Sequence, residues 1–350
     1  MKLNRFILLL LAGTVFTVSC TRVELASGGD AKSYVLCDFG SLPAGVPENY
    51  ALMFARTTYS VHDTATVKTD MTDTLNAFGG NYFAIACSIE EDGPFSFVNK
   101  ESFVAKPDSV SIHDIYAALQ EPELPEDDVF YRSLWHIASD PHKVVAAAVP
   151  LWLAQDTQTL SGKPGNVERF HFAPRDVTQQ ITVKIKLASE DASLTIEKVA
   201  ACLTGVPSRI RLVDGSVNTA DYGRTIADCE AGESGLYSAQ FRTLGLFPPE
   251  NATDKYGAGI LEVAVKLEGY SLPVSAKINL SPFLAKAGIM KVAAFGDAGW
   301  LERDAASVML DIASKYTLKV SKPVDDSLPL ARWDDSDSGH ISVVPEDPDA

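Results

Sequence analysis

From Ile181 to Leu187 the chain alternates without a fault, with Ile181, Val183, Ile185 and Leu187 apolar and Thr182, Lys184 and Lys186 polar. Successive side chains of a strand point to opposite faces, so such a segment is a strand with one face buried and one wet. The same period returns at Tyr237, Ala239 and Phe241, at Leu261, Val263, Val265 and Leu267, at Val308, Leu310 and Ile312, and at Leu318 and Val320. Upstream, Ser33–Phe39, Ala51–Val61 and Asn81–Ile89 are rich in aromatic and β-branched residues and read as strands. Leu194–Leu203, Arg209–Val213 and Val167–Phe172 read the same way. Val144–Leu153 is a continuous apolar run of strand length, which suits a strand buried on both faces. Phe95–Val104 reads as a hairpin around Asn99-Lys100, and Val110–Leu119 fits a strand or a helix. Strands this frequent, with few helical patterns between them, predict an all-β chain of antiparallel sandwiches rather than a βαβ fold.

A chain of 350 residues is long for a single core and suggests two. The break is expected at Ala173-Pro174-Arg175, giving an N-terminal β-sandwich over 33–173 and a C-terminal one over 174–322. Hydrophobic residues make up 46% of the chain, enough for packed cores and too much for wholesale disorder. From 323 to 350 the character changes to an acidic tail, in which Asp325, Asp326, Asp334, Asp335, Asp337, Glu346, Asp347 and Asp349 face Arg332 alone. The tail reads as disordered, or as a carrier for its small apolar island, Ile341-Ser342-Val343-Val344. The formal charge of −16, with no clustered basic stripe, argues against a nucleic-acid partner.

The first twenty residues set the compartment. Lys2 and Arg5 precede the apolar run Phe6–Val18, which ends at Ser19-Cys20. This order of charge, greasy core and small residues is that of an export signal. The run is shorter than the roughly 20 residues a spanning helix needs. Cys20 stands where a bacterial lipoprotein carries its acylated first residue, with Val18 and Ser19 fitting the preceding box and Thr17 departing from its usual Leu. The expectation is a signal peptide over 1–19, a lipidated tether over 20–32, and attachment to outer-membrane lipid through acylated Cys20. In an exported chain Cys37, Cys87, Cys202 and Cys229 either pair, with Cys37–Cys87 and Cys202–Cys229 each staying within one half, or remain buried thiols.

Catalytic patterns are thin. Ser111, His113 and Asp114 lie too close together for a triad whose members converge from separate elements. His136, Asp140 and His142 lack the spacing of a metal motif and read as a solvated loop. Gly162-Lys163-Pro164-Gly165 is a turn without the rest of a phosphate loop, and Glu90-Glu91-Asp92 before Gly93-Pro94 reads as a hairpin tip. Neither a cofactor nor an enzymatic activity is expected, and no catalytic or metal-binding residue is assigned. Asp63-Thr64-Ala65, Asp73-Thr74-Leu75, Asp108-Ser109-Val110 and Asp326-Ser327-Leu328 resemble the O-glycosylation sequon of exported Bacteroidales proteins.

Several stretches, in order, resemble one family. They are Leu42–Pro47 (LPAGVP), Phe54-Ala55-Arg56 through Ser60-Val61-His62, and Gly80–Ala86 (GNYFAIA). Further along come Leu203–Leu212 (LTGVPSRIRL), Leu244–Pro248 (LGLFP) and Gly259–Val265 (GILEVAV). Together these are similar to the FimB-like anchor and accessory lipoproteins of Bacteroidales type V pili. The resemblance implies two tandem transthyretin-like β-sandwiches after a lipoprotein signal, at the cell surface. It also implies fimbrial subunits as partners, joined by strand exchange, in which main-chain hydrogen bonds give affinity and alternate side chains fill pockets. The rival readings are a surface glycan-binding lipoprotein using Trp135, Trp152 or Trp300, and a hydrolase built on a cleft of perturbed carboxylates.

The anchor reading has a direct consequence. Cys20→Ala should take up no labelled fatty acid and leave the membrane fraction; a variant that stays membrane-bound, beside an unlabelled wild type, would refute it.

Overall fold

The computed structural model describes residues 32–42, 44–56, 61–88, 93–123, 129–135, 143–247, 259–284, 287, 289–293, 299–322 and 341–345. Strands dominate these residues, as the alternating runs predict. A three-stranded sheet has the order β4 (Thr74–Phe78), β1 (Lys32–Asp38), β9 (Val167–His171). β1 runs antiparallel to β4 and parallel to β9. Facing it is a five-stranded sheet in the order β10 (Arg175–Asp176), β8 (Trp152–Leu160), β5 (Gly80–Cys87), β2 (Asn49–Arg56), β3 (Val61–Lys68). Between them lies one core, where Val35, Cys37 and Phe39 meet Tyr50, Leu52, Phe54, Tyr82 and Ala84. Phe170 is wholly buried there, its ring 5.8 Å from Phe54 and 5.9 Å from Phe172.

The five-stranded sheet buries its other face as well. Met53 and Ala55 of β2, Ile85 and Cys87 of β5, and Leu153 of β8 belong to a second core that extends through Phe103, Ile115, Ile181 and Val263 to Leu318. Residues two apart share a face, so Leu52 and Phe54 serve one core while Met53 and Ala55 serve the other. A small antiparallel sheet, β6 (Phe95–Val98), β7 (Tyr116–Leu119) and β13 (Arg209–Arg211), contributes Phe95, Ala117, Leu119 and Ile210 to that second core. Its β7–β13 pairing, Tyr116↔Arg211 to Ala118↔Arg209, joins the two halves of the chain by backbone hydrogen bonds.

The C-terminal half forms a long sheet in the order β18 (Val274–Asn279), β17 (Ile260–Leu267), β12 (Ile196–Pro207), β15 (Tyr222–Ala231), β16 (Leu236–Thr243), β11 (Gln179–Ser189), β22 (Tyr316–Val320), β23 (Ile341–Pro345). β21 (Ser307–Asp311) also pairs with β11. In β11, the alternating residues Ile181, Val183, Ile185 and Leu187 are buried, while Thr182, Lys184 and Lys186 are half-buried. Between Thr204 and Val206 the β12 register shifts at Gly205, whose φ of 75° favours a residue without a Cβ. A third small sheet joins β14 (Val217–Asn218), β20 (Trp300–Arg303) and β19 (Met290–Val292).

Three expectations give way. Phe95–Val104 is not a hairpin: β6 ends at Val98, and helix α1 (Lys100–Ala105) starts after Asn99. Asn99 takes the left-handed conformation, φ 67°, which Asn tolerates better than most residues, and its Nδ2 donates to Asp114 O at 2.9 Å. The Ala51–Val61 run is likewise not one strand, since β2 closes at Arg56 and β3 opens at Val61 opposite it. Nor is Val144–Leu153 a single strand: it makes one bridge, at Val144, and only Trp152 onward is ladder. Three of its N–H groups go to separate elements, Val145 N to Arg224 O, Ala146 N to Gln120 O and Ala148 N to Arg242 O. The run is apolar because it threads between elements, and Pro150 has no N–H to give a ladder.

The aromatic core between the first two sheets should be sensitive to truncation. Phe170→Ala should lower unfolding free energy by about 3–5 kcal/mol, read from denaturant melts. A loss below about 1 kcal/mol would mean that the two sheets are not packed through this ring.

Candidate functional site

Cys20, the expected lipid site, lies outside the described residues, as do His136, Asp140, His142 and Glu90-Glu91-Asp92. Ser111, His113 and Asp114 are brought together as a helix cap. Ser111 Oγ accepts from His113 N, Asp114 Oδ2 accepts from Ser111 N at 3.0 Å, and together they close one 3-10 turn. Their spacing thus serves the backbone, in the manner of a capping box. Among the described residues no group of three His, Cys, Asp or Glu side chains is placed to hold a metal. No helix among them is long and apolar enough to cross a membrane.

The four downstream cysteines are thiols, none joined in a disulfide. The fold separates the pairs that sequence made convenient. Cys37 lies in the core between the first two sheets, and Cys87 points from the opposite face of the five-stranded sheet into the second core. Cys202 faces helix α2 (Val129–Trp135) on the outside of the long sheet, beside Phe130 and Leu134, whereas Cys229 packs toward the second core. Burial pushes the Cys37 and Cys229 thiols up to about 12, with the charges of Asp73 and Asp228 adding to it. Helix α2 is latched by Tyr131, whose hydroxyl donates to Asp228 Oδ1 at 2.6 Å and accepts from Lys198 Nζ at 2.6 Å.

Strand edges are where another chain would add. β1 offers none, because it is the middle strand of its sheet and sends Val35 and Cys37 into the core. At the other end of the chain, β23 pairs antiparallel with β22, from Tyr316↔Pro345 to Val320↔Ile341. The apolar island of the tail is therefore a strand of the long sheet. In that sheet β23 hydrogen-bonds to β22 alone, and its Cα atoms come within 8 Å of β18, the strand at the opposite end of the path. The long sheet thus curls until its two ends meet, and β23 lies along the seam. Sequence reasoning located the island but not its partner, which is set by curvature.

Trp152 is half-buried against the first core, and Trp300 stacks on Arg211, 4.2 Å from ring centroid to guanidinium. The side chain of Trp135 lies outside the description.

No family model matches the chain, and no curated protein matches it. Solved structures do. One, a candidate adhesin from Bacteroides ovatus, is 11% identical, covers 81% of this chain and 89% of its own, and superposes with a TM-score of 0.53. The fimbrial anchor protein Mfa2 from Porphyromonas gingivalis is 12% identical over 85% of this chain and 94% of its own, with a TM-score of 0.42. A fimbrial assembly protein from Parabacteroides distasonis is 7% identical over 85% and 93%, with a TM-score of 0.29. With the Bacteroides ovatus protein the chain shares its fold, and the described residues have the all-β architecture that the alternating runs predict.

The buried thiols make stability fall in alkali. A thiol whose folded pKa is raised stabilises the fold fully below its unfolded value, near 9, and progressively less as pH climbs toward about 12. Melts between these limits should show stability falling with pH, with a shallower slope in Cys37→Ala; an unchanged slope would mean that the thiol titrates normally.

Proposed function

We propose that this chain is a lipid-anchored, non-enzymatic structural subunit of a surface fimbrium, holding or assembling the filament at the outer membrane. The export and acylation pattern ending at Cys20 would supply the membrane attachment. The ordered motifs similar to FimB-like lipoproteins, and the fold shared with a candidate adhesin from Bacteroides ovatus, support the fimbrial setting. The proposal keeps the two sandwiches at 33–173 and 174–322, although β10 completes the first five-stranded sheet and β6 and β7 pack into the second core.

The observation that carries the reading is β23. It hydrogen-bonds to one neighbour over five residues and is reached through residues 321–340, although Val320 and Ile341 stand directly opposite each other. A tight hairpin needs only about two to five residues there. The connection is longer in sequence than that turn requires, and exchange would replace the five residue pairs with β22 by equivalent pairs with another chain. Strand exchange with a fimbrial neighbour would place a partner's segment along β22, or β23 along a partner. The first strand, by contrast, stays with the chain: Arg22 precedes it close to Cys20, and the next arginine, Arg56, ends β2. Folded backbone of that kind resists cutting after arginine.

The test is made in cells. The mature protein should begin at Cys20, retain Lys32–Asp38 and co-purify with sheared fimbriae, and removal of residues 341–350 should release the filament from it. An N-terminus beyond Phe39, or filament attachment undiminished by the truncation, would overturn the proposal.

A further inference from the structure

A cleft of about 510 Å³ opens where the second core runs out toward solvent. One wall continues the shared five-stranded sheet. Phe83 of β5 stands opposite Thr157 of β8, and Ile85 stands opposite Gln155, so Phe83, Thr157 and Gln155 share the face on which Ile85 is buried. Thr157 and Gln155 are exposed there. The ring of His113 lies nearly parallel to that of Phe83, at 19° and 6.1 Å between centroids, and its backbone is fixed by the Ser111 cap. The opposite wall is the turn after β13, with Arg211 and Asp214.

That turn is rigid and electrically closed. Arg211 holds Asp214 in a two-pronged pair, Nε to Oδ1 at 3.1 Å and Nη2 to Oδ2, and its guanidinium stacks on Trp300. Ser216 N and Oγ donate to the same carboxylate, at 3.0 and 2.7 Å. Burial works against the charge of Asp214, but the hydrogen bonds from Arg211 and Ser216 outweigh it and hold the carboxyl below its usual value. Asp156, also at the cleft, has its carboxylate taken by the backbone N–H groups of Thr157 and His171, each at 2.8 Å.

We infer that this cleft binds a neutral saccharide of one or two sugar units. A pyranose ring has an apolar C–H face, which suits the outer face of the exposed His113 ring, backed by Phe83. It also carries hydroxyls that both donate and accept, matching the amide of Gln155 and the hydroxyl of Thr157, which are exposed in the cleft. The volume falls within the range of small-ligand sites, and the walls are held in place before anything binds, which lowers the cost of binding. An anion is disfavoured, because the one guanidinium is already matched by a carboxylate. An extended peptide is disfavoured too, because β5 lies between β2 and β8 with its backbone hydrogen bonds committed. The inference stands apart from the fimbrial reading, which rests on β23.

The experiment uses the mature chain in detergent. Maltose, lactose, cellobiose and diacetylchitobiose are titrated in parallel with the anionic disaccharide digalacturonate, with saturation-transfer NMR and calorimetry as readouts. At least one neutral disaccharide should bind with a dissociation constant of about 10 mM or tighter, and His113→Ala and Gln155→Ala should each weaken it about tenfold. Both side chains are exposed, so the melting temperature should stay at the wild-type value, and that control separates lost binding from lost fold. Binding by none of the neutral sugars, preference for digalacturonate, or affinity undiminished in both variants would each overturn the inference.

Discussion

One sheet with two buried faces holds the molecule together. The strands β2, β5 and β8 send alternate residues into two different cores, so each strand is a wall for both. Burying a large apolar side chain is worth roughly 1.5–3 kcal/mol, and here that gain is collected on both sides of the same backbone. At the buried positions of β2 and β5 a polar residue would carry its desolvation cost with no wet side to turn to. The arrangement also explains why the cysteines stay apart. Cys37 and Cys87 are separated by the thickness of this sheet, and no side-chain rotation brings their sulfurs together.

The junction between the halves depends on half-buried polar bonding around Asp176. Arg303 Nη1 donates to Thr178 O and its Nη2 to Asp176 O, while Arg242 Nη1 reaches the Asp176 carboxylate at 3.1 Å. Burial lowers the Arg303 pKa, with Arg175 and Arg242 lowering it further and Asp176 opposing them. Gln179, fully buried, donates through Nε2 to Ala305 O at 2.7 Å and Ile289 O at 3.1 Å. These bonds fix where β11 enters the long sheet, and β11 in turn carries β16, β21 and β22. The seam filled by β23 is therefore positioned by groups far from it in sequence. Glycine enters the same logic at Gly223, where a Cβ would lie 2.5 Å from Lys143 O and push away the segment that bridges to Arg224.

Much of this was legible in the sequence. The unbroken alternation of Ile181–Leu187 determined a strand with one buried face, and its recurrence determined an all-β chain, because a strand offers only two sides and the pattern states which one is dry. The close spacing of Ser111, His113 and Asp114 excluded a triad, and the cap they form is a local matter that local sequence decides. The continuous runs Leu52–Ala55 and Phe83–Cys87 carried the signal of burial on both faces, since neither leaves a wet side. Val144–Leu153 has the same composition and is not a ladder, because apolar composition reports burial and not hydrogen-bond partners.

Tertiary structure alone decided the pairings. Which core each face of β2 serves, which cysteines are screened from one another and which strand the tail island meets all depend on contacts between residues far apart in the chain. Register between such segments is set by packing and sheet curvature, and neither leaves a trace in the order of residues within one segment. The same holds for the cleft, where Phe83, His113, Gln155 and Arg211 come from four separate stretches. The sequence by itself determined which residues would be strands and which sides would be dry; only the fold decided which dry sides would meet, because that choice is made by long-range geometry rather than by local chemistry.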